Sequence, residues 1–274
     1  MMPISGVRAH ASRILRRPRV RRVLERLPVA RRYYKGWWRT HPFDRTYGVE
    51  TSGADQVAEF KLDPAIARHM SPYAGSQPSI IRRALDTLPL VDDTSFVDLG
   101  CGKGRPLVVA SEFPFRRIVG VELAPHLVSV ARANAATIRR RFPERAAIEI
   151  VEEDATRFRW PAGKLVLFCY NSFDAELVGK LVASLERGLA GPVEHVFVVY
   201  YNPVWGALLD RSPAFERWYA ATLPYDSSEL GFGPDRSDAV VIWQSARNAY
   251  LRRHVERASR IQTDALGRHA ALVS

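Results

Sequence analysis

Cysteine is nearly missing from this chain of 274 residues, which has only Cys101 and Cys169. Both fall inside strongly patterned segments, so no disulfide framework is expected and a reducing, cytoplasmic setting is the plain inference. The seven histidines are scattered and no Cys/His cluster has zinc-site spacing, so no structural metal is expected. No run approaches the roughly 20 apolar residues that a membrane-spanning helix requires. The stretch from Met1 to Val20 is rich in arginine and lacks a continuous apolar run ending in a small-residue cleavage site, which argues against a secretory signal. Its few serines also argue against an organelle transit peptide. No internal repeat is visible.

What is present is ample core material, with 47% hydrophobic residues, and an uneven charge. Residues 1–45 hold thirteen Lys or Arg against Glu25 and Asp44, which accounts for the whole net charge of +11. The other residues carry 27 bases and 27 acids and are neutral. From Val7 to Leu27 apolar residues recur at near-helical spacing among arginines, with Pro18 placed to kink or split the helix. Tyr33, Tyr34, Trp37 and Trp38 come next. Such a basic amphipathic arm fits contact with an anionic membrane surface or an acidic partner, which would place the protein peripherally at a membrane. The alternative, favoured by the aromatic cluster as a docking face, is a helix packed on the main domain with its arginines solvated. Nucleic acid is the weakest partner, since no binding motif accompanies the charge.

Phe43 to Ala54, with Gly48 and Gly53, reads as a loop leading into the main domain. A helix is expected over 78–88, with Pro78 at its first turn. Short apolar runs then alternate with longer amphipathic segments. The strands are Ser95–Leu99, Ile118–Glu122, Ala147–Val151, Leu165–Tyr170 and Val196–Tyr201, and two later ones are Tyr219–Leu223 and Ala239–Gln244. Helices are expected from about Arg105, from Ala124 to about Arg141, and from Ala175 to about Leu189. This alternation means a mostly parallel sheet covered on both faces, a three-layer αβα sandwich. The organisation is a partly helical arm at 1–45, one domain at 46–246 and a basic helical tail at 247–274.

The densest motif is Phe96-Val97-Asp98-Leu99-Gly100-Cys101-Gly102-Lys103-Gly104-Arg105. A buried strand ends in an acid, and three glycines at alternate positions form a tight turn into a helix. Open α/β sheets bind ligands outside the carboxyl ends of their strands, so this turn lies where a nucleoside would sit. Glu122 ends the second strand, where a carboxylate can accept hydrogen bonds from both ribose hydroxyls. Glu152-Glu153-Asp154-Ala155 comes after the third strand, where an acid and adjacent backbone can meet an adenine edge. A nicotinamide dinucleotide site would need G-x-G-x-x-G, but Arg105 stands at the third glycine's place. Asp98 before the turn also suits an amino-acid moiety better than a pyrophosphate.

The segment from about Tyr73 to Gln244 resembles the class I S-adenosylmethionine-dependent methyltransferases, whose seven-stranded sheet has an antiparallel last strand. The resemblance implies that Asp98, Gly100, Cys101, Gly102 and Gly104 hold the cofactor's methionine part. It assigns Glu122 and Leu123 to the ribose side, and Asp154 and Ala155 to the adenine side. Tyr73, in the lead-in Ser71–Gln77, is expected near the methionine end. The fourth strand ends in Tyr170-Asn171-Ser172-Phe173, which in this family faces the sulfonium and the nucleophile. Asn171 is therefore the candidate for orienting the acceptor and contacting cofactor, with Tyr170 beside it or packed in the core. Ser172 and Phe173 replace the two prolines of the Asn-Pro-Pro-aromatic signature, which puts nucleobase or glutamine amide methylation in doubt. The run is closer to the Asn-x-Phe of seven-stranded lysine methyltransferases. Tyr200, Tyr201, Asn202, Pro203 and Trp205 either wall the acceptor pocket or cap the core. The expected activity is in-line methyl transfer to an unassigned acceptor, a small metabolite or envelope-type precursor first. A protein lysine is the alternative, and a non-catalytic cofactor-binding protein is a third reading.

Overall fold

The computed structural model describes residues 36–247 apart from 91, 92 and 234, and in the arm residues 15, 18–27 and 30. Most of the tail expected at 247–274 and most of the arm lie outside the described residues. Seven strands form one sheet: β3 (Ser95–Leu99), β4 (Arg117–Glu122), β5 (Ile148–Glu152), β6 (Gly163–Tyr170), β7 (Val193–Tyr201), β8 (Phe215–Pro224) and β9 (Ser237–Ser245). Their order is β5-β4-β3-β6-β7-β9-β8. The first five run parallel, and the last strand in sequence, β9, inserts antiparallel between β7 and β8. The expected mostly parallel, seven-stranded αβα sandwich is what the chain forms. A small hairpin pairs β1 (Ala54–Asp55) with β2 (Tyr73–Ala74).

Strand alternation sorts the core into two faces. Phe96, Ile118, Val166, Phe168, Val199 and Ile242 face the helices α4 (Pro78–Leu85), α5 (Arg105–Ala110) and α6 (Pro125–Arg141). Val97, Val119, Leu167, Val198, Val241 and Trp243 face α7 (Ala175–Leu189), whose Val178, Leu181, Val182 and Leu185 recur at helical spacing. Within β8 the register shifts between Arg217 and Tyr219, so the consecutive Trp218 and Tyr219 join the same cluster. That bulge breaks the two-residue period, and so the strand begins at Phe215 rather than at Tyr219.

Two segments before the sheet differ from the sequence reading. The stretch read as a loop from Phe43 contains α2 (Pro42–Tyr47). His41 caps it by accepting from the Phe43 amide, Pro42 fills its first turn, and Gly48 closes it at φ 69°. Asp44 then organises the chain after the helix, accepting from the amides and hydroxyls of both Thr51 and Ser52. Between β1 and β2 lies the single-turn α3 (Pro64–Ala67), capped by Asp63 through the Ala65 amide. In the arm, α1 (Pro18–Leu24) starts at the proline where a split was expected. Arg21 is buried and donates to Thr40, while Glu25 accepts from the Thr40 amide at 2.7 Å. This part of the arm packs on the domain.

Candidate functional site

The carboxyl ends of β3, β4 and β6 meet at the glycine turn. Glu122 closes that turn by accepting from the Gly102 amide at 2.9 Å, and its other oxygen takes the Leu123 and Ala124 amides, each at 2.8 Å. Gly102 has φ +54°, and a Cβ there would lie 2.4 Å from the Tyr73 ring, so only glycine lets that ring cross the turn. Gly100 similarly leaves room for Ser172, whose Cβ would be 2.8 Å from an added methyl. Tyr73 is held there by its hydroxyl, which donates to the Thr51 carbonyl at 2.7 Å, and by the Lys103 ammonium 4.7 Å from its ring centre.

Lys103 and Arg105 sit in or beside the turn, yet both are buried and turned toward the lead-in. Lys103 pairs with Asp55 at 2.7 Å, and Arg105 donates to Thr51 and to the Ser76 carbonyl. The residue standing where a dinucleotide fingerprint needs its third glycine thus anchors residues 51–76 over the site.

A second fastening crosses the site from the far side. Met70 forms an isolated antiparallel bridge with Phe173, flanked by Ser71 amide to Ser172 carbonyl and Asp174 amide to His69 carbonyl, both 3.2 Å. His69 Nδ1 lies 2.5 Å from Asp174 Oδ2. Two cavities open at this strap, of about 630 and 250 Å3, and share Met70, Gly100, Glu122 and Phe173 as walls. The larger is lined by Tyr73, Asp98, Gly100, Cys101, Gly102 and Glu122, and on its other side by Tyr170 and Asn171. The smaller is lined by Leu123, Asp154, Ala155 and Thr156. Every residue that the family resemblance assigned to the cofactor, and Tyr170 with them, lines one of the two except Gly104, which shapes the turn as the left-handed cap of α5. Asp154 also closes its own turn, accepting from the Thr156 amide and hydroxyl.

The electrostatics are those of a site waiting for positive charge. Asp98 is buried, and its Oδ2 has no hydrogen-bond partner among the described residues. Burial, and then the charge of Glu122, push its carboxyl well above the usual range. Burial raises Glu122 too, against the three amides that hold it down. An amino-acid ammonium beside Asp98 would satisfy the orphaned oxygen and offset its desolvation. A second, neutral nucleoside part would fit beyond Glu122, in the smaller cavity. These residues fit S-adenosylmethionine. Cys101 is buried with its thiol pushed up by that burial, and its sulfur packs against Gly120, so it acts as turn filler and not as a nucleophile.

Asn202, read from the sequence as walling the acceptor pocket or capping the core, lines the larger cavity, whereas Thr222, Asp235 and Asp238 in the same lining were not assigned. Asn202 follows β7 as Asn171 follows β6. Asp238 opens an otherwise apolar strand, a weak signal. Tyr200 and Tyr201 are buried in the core, and Trp205 is exposed.

A parallel sheet with an antiparallel insertion, carrying a glycine turn flanked by strand-end carboxylates, defines a Rossmann-like nucleoside-binding domain. Residues 97–187, about a third of the chain, match the model of a family described as "Methyltransferase domain". A protein-lysine N-methyltransferase of Saccharolobus islandicus (strain REY15A) is 34% identical over 64 residues, 23% of this chain and 40% of that protein. The match therefore spans well under half the length of that relative. Among solved structures, the chain is similar to an RNA methyltransferase from Salinibacter ruber bound to S-adenosyl-L-homocysteine. There the TM-score is 0.43 at 18% identity, covering 65% of this chain and 97% of that one. A precorrin-6y C5,15-methyltransferase from Geobacter metallireducens gives TM-score 0.44 at 17% identity, covering 62% and 88%.

Proposed function

We propose that this protein transfers a methyl group from S-adenosylmethionine, held over β3, β4 and β5, to an acceptor that enters over β6, β7 and β9. The observation that carries this reading is the buried, unpartnered Asp98 oxygen beside the glycine turn, a position with little use except to receive a cation. The cofactor brings an already activated methyl, so the chain need supply no nucleophile. Its residues orient two reactants and exclude water, an effect worth roughly 7–11 kcal/mol when the approach is in line. Asn171, at φ 38° on the end of β6, is placed to orient the acceptor.

A small metabolite or envelope-type precursor suits the larger cavity. A protein lysine is the second reading, supported by the Asn171–Phe173 run and by the partial identity to a lysine methyltransferase. For the charge of residues 1–45 beyond the docked α1, an anionic membrane surface or acidic partner is proposed. Deletion of residues 1–40 with liposome pelleting tests it, and unchanged pelleting would refute it. Thermal shift with S-adenosylmethionine, S-adenosylhomocysteine and NAD tests the cofactor assignment. Stabilisation by the first two is expected, and stabilisation by NAD alone would overturn it. Release of S-adenosylhomocysteine in lysate separates an enzyme from a non-catalytic binder.

A further inference from the structure

The acceptor half of the larger cavity has its own chemistry. Asn171 and Asn202 follow the neighbouring strands β6 and β7 in the left-handed region, at φ 38° and 50°. Both line the cavity, and neither side-chain amide bonds to a described residue. Asp238 sits at the start of β9, and its Oδ2 accepts from the hydroxyls of Tyr201, at 2.7 Å, and Tyr225. Asp235 lines the same mouth and is exposed. Tyr170 packs its ring 4.4 Å from that of Tyr201, and its phenol is pushed up by burial and then by the charges of Asp238 and Asp235. Both carboxylates therefore act on the wall of this chamber.

Sheet geometry separates these groups from the cofactor end. Asp98 lies on β3, and Asp238 lies on β9, three strands away across β6 and β7. At about 4.8 Å per strand that is roughly 14 Å, too far for Asp238 to serve the same ammonium as Asp98. The cavity has two cations in its lining. Arg105 spends its guanidinium on Thr51 and Ser76, and Arg236 is exposed at the mouth. A chamber with two carboxylates, aromatic walls and two uncommitted amides, whose oxygens can accept, suits a ligand that donates hydrogen bonds and carries positive charge.

We infer that the methyl acceptor is a primary alkylamine that arrives as its ammonium, with Asp235 and Asp238 drawing it in and Asn171 and Asn202 orienting its nitrogen. This rests on the methyl-transfer reading above. The ammonium gives one proton to solvent water, and the resulting amine lone pair forms the new N–C bond as the S–C bond breaks. That bond's electron pair stays on sulfur, which becomes a neutral thioether, and the methylated amine leaves protonated. The alkylamine can be a protein lysine or a free diamine.

The test uses the full chain, radiolabelled S-adenosylmethionine and four probes: poly-L-lysine, 1,5-diaminopentane, p-cresol and benzoate. Transfer to poly-L-lysine identifies a protein source and transfer to the diamine a free one; either is expected, with none to the other two. Asp235→Asn should raise KM for the amine about tenfold with cofactor affinity unchanged. Asn202→Gly keeps the left-handed backbone without strain and should lower kcat about tenfold. Bound cofactor without transfer to either amine overturns the inference while leaving the methyltransferase reading intact. So does amine transfer indifferent to both variants, or faster transfer to phenol or carboxylate. Failure to bind the cofactor at all would instead sink the reading beneath it.

Discussion

Replacing Asp98 with asparagine isolates the charge on which cofactor binding depends. In the free protein this buried carboxyl is raised well above 3.8, by burial first and by Glu122 second. On the acid side of its raised value it holds a proton, which the cofactor's ammonium must displace. Affinity should therefore climb with pH, by at most tenfold per unit, and level off once Asp98 is ionised in the free protein. Asp98→Asn keeps the shape but gives up the charge. A hydrogen bond to a charged group is worth about 1.5–3 kcal/mol, so affinity at neutral pH should fall by about 10- to 150-fold. Stability moves the other way. Because the folded state holds this proton more tightly than the unfolded chain, the contribution of Asp98 is fully present below 3.8 and is lost as pH rises through the raised value. The variant lacks that loss. Calorimetric titration with S-adenosylhomocysteine between pH 5 and 7, in two buffers of different ionisation heat, counts the released proton. Equal affinity of variant and wild type, or wild-type affinity that falls as pH rises, would refute the reasoning.

Gly102→Ala should abolish cofactor binding while far-UV circular dichroism still reports the sheet, because its Cβ meets the Tyr73 ring at φ +54°; retained affinity would contradict the turn assignment. His69→Ala removes the strap's hydrogen bond to Asp174, a partly exposed contact worth at most about 1 kcal/mol. Stopped-flow measurement should show cofactor leaving up to about fivefold faster. Asp174→Ala should do the same and also cost about 1 kcal/mol of stability, since Asp174 caps α7 through the Leu177 amide. Arg105→Ala leaves the Ser76 carbonyl without its buried donor, at about 1–3 kcal/mol, and leaves the Thr51 carbonyl with the Tyr73 hydroxyl alone. It should lower the melting temperature and open residues 40–77 to limited proteolysis.

The sheet was legible because its signals are local. Leu165–Tyr170 and Val196–Tyr201 are unbroken apolar runs, and the glycine turn needs only ten consecutive residues to declare itself. Glu122 was legible because it is one of three strand-end acids that come in order around the glycine turn. The roof over the site was not, because its contacts join residues far apart in the chain. Arg105 reaches Thr51 across 54 positions, and Met70 meets Phe173 across more than a hundred. Nothing near Arg105 says that it points backward into the lead-in. The helix at Pro42–Tyr47 did carry its signals, a proline at the first turn and Gly48 at the end, but two glycines in twelve residues made the stretch look like loop. Asp238 stayed hidden because its meaning depends on β9 inserting beside β7, which brings it to the same edge as Asn171 and Asn202.

A crystal structure with S-adenosylhomocysteine bound would probe the central assignment most directly. Its amino group should lie within hydrogen-bonding distance of Asp98 Oδ2, its ribose beside Glu122, and its adenine in the chamber lined by Leu123, Asp154 and Ala155. A nucleoside seated elsewhere, or an amino group that leaves Asp98 alone, would contradict the account.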